Sequence, residues 1–414
     1  MDTHWFAEAI IYQVLIDRFS RGEPEDLSVS NCQGAVFCGG NIKGLISRLP
    51  YLQDLGINTI WVSPFNPTAA YHGYHITDFF GVDPHFGTLD TVRELIESCR
   101  ERGMRLLMDF VANHVHKSHP IFKEALEDPR SVYRGWFHFG AANSYLSFLG
   151  IDELPKLNLN NSGARDYIVK AALFWLDQGF DGLRLDHAIG PPMEFWRQFA
   201  SSMKNRCPGA VLIGEASMDG VRFADLKTIS LKHRRLLWLV RALGIDASGL
   251  VMRQYRGLLD GALDFRFQNL MRRFIAQPRW RRPQWLLHVL LRKHYGSFPR
   301  GFFLPSFLDN HDMSRFLHQA GQDKAKLMRA ARLQFIQDQA PIIYYGTEVG
   351  MTQSRPTRAD LHYSDLEARQ MMPWNPEDQS AELLAFYQSL IAQRKARRGM
   401  PVVRKDTRNG LRGS

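Results

Sequence analysis

Eight short, β-rich apolar runs recur along this chain of 414 residues, at 10–15, 57–62, 104–110, 182–186, 211–213, 262–265, 302–308 and 341–345. Each has the length of a strand, and most end at a turn or a polar residue. Helix-like stretches lie between them. Tyr167, Ile168, Ala171, Ala172, Trp175 and Leu176 recur at helical spacing behind a candidate cap, Ser162. Leu383, Leu384, Phe386, Tyr387, Leu390 and Ile391 do the same behind Ser380, with Gly399 as a stop signal. Strand–helix alternation repeated this often predicts α/β architecture, a closed parallel (β/α)8 TIM barrel. A doubly wound open sheet is the competitor. It usually carries a glycine-rich phosphate turn after its first strand, and none follows Leu15.

Two connections exceed what a plain barrel needs. Residues 116–161 follow the third run, on the face where barrel active sites sit, and are expected to form a small inserted domain. Residues 216–261 follow the fifth run and are rich in Leu, Arg and Ala, which predicts added helices. Within them Leu236, Leu237, Trp238, Leu239 and Val240 read as core or interface rather than a lipid anchor. The expected division is 1–115 with 162–398 as the barrel, 116–161 as the insertion and 399–414 as a tail.

Composition removes several function classes. With 45% hydrophobic and 23% charged residues the chain can bury a large core, so disorder is excluded. No uninterrupted apolar stretch of about 18 residues appears, so no membrane partner is expected. The segment 1–6 lacks the basic and apolar parts of a secretory signal, which gives a cytoplasmic expectation. Four cysteines cannot form a disulfide scaffold; Cys32 and Cys38 are close enough to pair, but in a cytoplasmic setting they read as free thiols. The net charge of +10 is concentrated in Arg272, Arg273, Arg279, Arg281, Arg282, Arg292, Lys293 and Arg300, with Trp280 and Trp285 interleaved, and in the tail. No zinc spacing, phosphate loop or RNA-binding box accompanies these residues, so they read as a solvated helical face and no nucleic-acid partner is expected.

The polar residues at the run ends carry the chemistry. In the fourth run Leu183 and Leu185 point one way, and Arg184 and Asp186 the other, into the barrel near its mouth. A carboxylate beside a guanidinium stays ionised, as a nucleophile must. Glu215 ends the fifth run against apolar residues, a setting that raises a carboxyl pKa and suits a general acid. Asp309, Asn310, His311 and Asp312 end the seventh run, and Asp109 to His114 end the third. Singly, each motif reads as an ion pair, a capping turn or a loop anchor. Their joint placement at the ends of strands is the informative feature.

In this order, these residues resemble glycoside hydrolase family 13, the α-amylase family, over residues 11–394. Supporting stretches are 56–64, Gly73 and Tyr74 with Asp78, and 346–348. Leu154, Pro155, Lys156, Leu157 and Asn158 resemble the fingerprint of neopullulanases, cyclomaltodextrinases and maltogenic amylases. The resemblance implies a retaining α-glucoside hydrolase acting on maltooligosaccharides or cyclodextrins, with transfer to a sugar acceptor, or a non-catalytic binding protein on the same barrel, as alternatives. It implies Asp186 as nucleophile, Glu215 as acid/base and Asp312 as the third acid gripping sugar hydroxyls. Arg184 would hold Asp186, His114 and His311 would bond the sugar, and Tyr74 would stack beneath it. Asp109 and Asn113 would anchor the surroundings. The Lys-His pair that follows the nucleophile in many amylases is absent: Asp186 is followed by His187, Ala188, Ile189 and Gly190, and His187 either packs or replaces part of that contact. The family's C-terminal β-sandwich is expected to be missing. The resemblance implies no required cofactor; calcium is left unassigned, with Asn113 a ligand in many members.

Overall fold

The computed structural model describes residues 3–22, 32, 34–278, 283–357 and 364–400. Eight parallel strands form one sheet: β1 (Ile11–Val14), β2 (Thr59–Val62), β3 (Arg105–Phe110), β4 (Gly182–Leu185), β5 (Val211–Gly214), β6 (Gly261–Ala262), β7 (Ser306–Phe307) and β8 (Pro341–Tyr344). Their order is β6-β5-β4-β3-β2-β1-β8-β7. The two ends of that order meet: Phe303 N donates to Asp260 O at 2.8 Å, Ala262 N to Phe303 O at 3.0 Å and Asp264 N to Pro305 O at 2.9 Å. A Cβ on Gly261 would lie 2.2 Å from Phe303 O, so this approach requires glycine. The arrangement is that of a (β/α)8 barrel.

Strand alternation sorts the core into two layers. Ile11, Trp61, Leu107, Val211, Ile213, Phe307 and Ile342 point inward and pack together, with Phe6 and Ala9 beneath them. The residues between them, among them Tyr12, Ile60, Leu106, Leu183, Leu185 and Leu212, point outward onto the helices. Helix 162–178 buries Ile168, Ala171, Ala172, Trp175 and Leu176, as its spacing predicts. Its cap is Asn161, whose side chain accepts from Ala164 N at 3.2 Å, rather than Ser162, which is the first helical residue. The correction is one of register: the two residues are adjacent polar caps, and the longer Asn side chain reaches the third amide. Ser380 does cap helix 381–397.

Residues 116–161 hold a helix (Pro120–Glu127) and short bridges such as Phe137 to Leu157, and a bridge from Lys156 to His114 ties them to the outlet of β3. Phe122 packs edge-on against Phe137 and Tyr145, at 4.8 and 4.9 Å between ring centres. After β5 come the expected added helices, Arg234–Ala242 and Ser248–Met252. Of the apolar segment there, Leu237 is buried, whereas Leu236 and Leu239 are exposed. Arg279 to Arg282 and the tail beyond 400 lie outside the described residues.

The free-thiol reading of Cys32 and Cys38 is overturned. They form a disulfide, with Cα atoms 5.7 Å apart. The turn that joins them is folded by β1's own outlet. Cys38 N donates to Asp17 Oδ1 at 2.8 Å, and Arg18 Nη2 donates to the carbonyls of Gly34 and Val36, both at 2.9 Å. No spacing rule reports those contacts. Cys99 and Cys207 are free. Among the described residues, no helix is long and apolar enough to cross a membrane.

Candidate active site

The inward rows of the strands change character towards their C-terminal ends: Leu107 gives way to Asp109, Gly182 to Arg184 and Asp186, Ile213 to Glu215, and Ile11 to Gln13. The alternation that packs the lower barrel therefore places polar groups together at its mouth.

Arg184 is the hub. Its Nη1 donates to Asp109 Oδ1 at 2.7 Å and to Asp186 Oδ1 at 3.0 Å. Its Nη2 forms an ion pair with Glu215 Oε2 at 2.8 Å. The guanidinium carbon lies 5.1 Å from the centre of the Trp61 ring. Asp109 is wholly buried, and its other oxygen accepts from Tyr74 OH at 2.7 Å and Trp61 Nε1 at 3.1 Å. Asp186 and Glu215 keep 11% and 16% of their side-chain surface open. His187 N donates to Glu215 Oε2 at 3.0 Å, which fixes that carboxyl from the β4 side.

Asp312 is held separately. Its Oδ2 lies 3.0 Å from His311 Nε2 and its Oδ1 2.8 Å from Arg369 Nη2. The Gln13 amide donates to His311 Nδ1 at 2.7 Å, which leaves the ring proton on Nε2 to serve Asp312. The Tyr74 and His311 rings stack, 5.1 Å apart and 6° from parallel. Arg369 also donates from Nε to His311 O at 2.7 Å and pairs with Asp365 at 2.6 Å.

The electrostatics separate these acids. Burial raises Asp186 well above the carboxylate range, with Arg184 pulling it back and Glu215 and Asp109 adding to the rise. Glu215 is also raised, chiefly by burial against the pull of Arg184. The two share one guanidinium, so the pair retains a proton beyond the ordinary carboxyl range; Arg184 alone does not hold Asp186 ionised as its sequence setting predicts, because burial outweighs it. Burial works on Asp312 too, but His311 and Arg369 outweigh it and hold that carboxyl below its usual value. Arg184, desolvated but surrounded by Asp109 and Glu215, stays charged.

His114 is buried beside Phe148, with ring centres 4.7 Å apart and the Tyr74 backbone against the ring, and among the described residues its Nε2 has no hydrogen bond of good geometry. Burial pushes its pKa down to about 3, with His75 and Lys156 adding to the effect, so the ring is neutral. His187 has φ +40° and packs edge-on against Phe148 at 4.6 Å, with its Nε2 also unpartnered.

The residues do not fit calcium at Asn113. Its Oδ1 accepts from Lys156 Nζ at 2.8 Å, and the same Nζ donates to Gly190 O at 2.9 Å. An ammonium thus already holds the oxygens a divalent ion would need. Burial lowers the Lys156 pKa to about 7, while the two oxygens it touches favour its charged form.

Tyr74, His114, Arg184, Asp186, Glu215, His311 and Asp312 all line or support this mouth. Arg369, Gln13 and Trp61 were not singled out from sequence. Arg369 comes directly after the short 3-10 turn Ser364–Ala368, with no motif around it. Gln13 and Trp61 carried a signal, since they share the inward parity of β1 and β2.

Comparisons agree with this geometry. A family model described as the α-amylase catalytic domain matches residues 13–228 and 245–407. Alpha-amylase 2 of Dictyoglomus thermophilum is 36% identical over 405 residues, covering 97% of this chain and 65% of that protein. A cyclomaltodextrinase from a Bacillus species is 30% identical over 411 residues, covering 95% and 66% respectively. This chain thus spans just under two thirds of the length of these relatives. The solved cyclic α-maltosyl-(1→6)-maltose hydrolase from Arthrobacter globiformis superposes with a TM-score of 0.77 at 26% identity, covering 94% of this chain and 83% of that one. With its acids gathered at the barrel mouth and that match over most of its length, the chain belongs to the α-amylase family of glycoside hydrolases.

Proposed function

We propose that the chain is a retaining α-glucoside hydrolase acting on α-1,4-linked maltooligosaccharides and cyclodextrins. The observation that carries this reading is the sharing of Arg184 between Asp186 and Glu215. One guanidinium spanning both carboxyls favours the close pair of a retaining enzyme, about 5–5.5 Å, over the wider inverting pair at about 6.5–9.5 Å. Asp186 attacks the anomeric carbon as Glu215 gives its proton to the departing glycosidic oxygen. A β-glycosyl ester forms and the aglycone leaves as an alcohol. Glu215, now a carboxylate, takes a proton from water; the hydroxide displaces Asp186 and the α-configured sugar leaves. Asp312, kept ionised by His311 and Arg369, accepts from ring hydroxyls and favours the distorted sugar. His114, a neutral ring at the outlet of β3, bonds a hydroxyl once the sugar is seated, and Tyr74 presents its ring to the sugar face. Transfer to a sugar acceptor would draw on the same ester.

The expected first product is the α-anomer. Proton NMR of a maltotriose digest within the first minutes checks it, and initial release of the β-anomer would overturn the mechanism. We also propose that 116–161 acts as a separate small domain over the site, and that the protein works in the cytoplasm with the oligosaccharide as its partner. The Cys32–Cys38 bond bears against that location, and thiol titration of freshly extracted, unfolded protein decides it: four reactive thiols would place the chain in a reducing compartment with the bond formed afterwards, and two would place it in an oxidising one.

A further inference from the structure

Lys156 is 5% exposed, and no carboxylate pairs with it among the described residues. A buried ammonium without an anion is costly unless oxygens replace its water. Here both oxygens are neutral and come from different strand outlets: Asn113 Oδ1 after β3 and Gly190 O after β4. The outlets meet closely, because a Cβ on Gly190 would lie 2.1 Å from Asn113 Oδ1. Two further contacts tie the knot to its surroundings. Leu157 N donates to Asn113 O at 3.0 Å, and Ser230 Oγ, from the helical connection after β5, donates to Gly190 O at 2.9 Å. A cradle of convergent amide oxygens between loops is the kind of site that takes a hard cation. We infer that Lys156 is this chain's own cation for the cradle: it fastens the 116–161 excursion to the outlets of β3 and β4, so the barrel mouth is assembled without a bound metal. His114 and His187 flank the knot, so the clamp also sets their rings.

This inference stands whether or not the proposed reaction is correct, because its test reads assembly rather than turnover. The thermal midpoint of the wild-type protein should be the same in EDTA and in millimolar calcium chloride. Lys156→Met keeps the length of the side chain but leaves two acceptors unfilled. It should lower the midpoint by roughly 2–5 °C, with no recovery in calcium. Lys156→Asp places a carboxylate beside the same two oxygens. It should be destabilised in EDTA, recover in millimolar calcium, and bind calcium in a titration where the wild type does not. A wild-type midpoint that falls in EDTA would overturn the inference. So would a Lys156→Met protein as stable as the wild type, or a folded Lys156→Asp protein that takes up no calcium.

Discussion

Asp186→Asn is expected to remove essentially all turnover of maltooligosaccharides, on the order of 10⁴-fold or more in kcat, which at about 1.36 kcal/mol per tenfold is roughly 5–6 kcal/mol of barrier. The amide is nearly the same size but cannot form the ester. Stability should not follow activity. Burial already raises the Asp186 carboxyl well above its usual pKa, so the neutral amide relieves a cost. Arg184 keeps Asp109 and Glu215 as partners. The expected midpoint is therefore equal to or above that of the wild type. Reducing-sugar assays with differential scanning calorimetry check both halves. Near wild-type turnover would remove Asp186 from its role, and loss of both activity and fold would make it a structural residue instead.

Glu215→Gln is the second large effect. Losing a general acid costs about 10²–10⁴-fold where the leaving oxygen needs a proton. An α-maltosyl fluoride, whose leaving group departs without one, should lose far less in the first step. The pH profile should change in a defined way. The folded pKa of Glu215 is raised, so the protonated acid persists above the normal carboxyl range and its loss sets the alkaline limb of kcat/KM. That limb should disappear in the variant. The same shift fixes the sign for stability. A raised folded pKa means the native state holds the proton more tightly than the unfolded chain. Its contribution is complete below the unfolded value near ~4.3 and is lost as pH rises through the folded value. Glu215→Gln should therefore exceed wild-type stability at neutral pH, and the gap should narrow in acid. An unchanged alkaline limb would assign the proton to another group.

The barrel and most of the mouth were legible because the barrel reads its sequence two residues at a time. Leu183 and Leu185 face the helices, and Arg184 and Asp186 face inward, by the same alternation that packs Ile213 below Glu215. What escaped were contacts that no period encodes. Arg369 reaches Asp312 from 57 residues away, from the end of the turn Ser364–Ala368. Lys156 was visible as one letter of a five-residue motif, but its partners sit 43 and 34 residues away on other outlets. The Cys32–Cys38 bond escapes any compartment argument because it is set locally, where Asp17 and Arg18 hold the backbone around it.

The barrel's staves are unequally fastened. β6 and β7 are two residues each, and the seam beside them rests on a few amide bonds around Phe303. Local opening favours such thinly bonded borders. Asp312 follows β7, one side of that border, and Glu215 follows β5, the neighbour of β6 on its other side. Heating should accordingly part Glu215 from Asp312 while the opposite wall, β1 to β4, still holds. Amide exchange would register this as early deuteration along 260–264 and 303–307, and the catalyst would fall silent before the vessel comes apart.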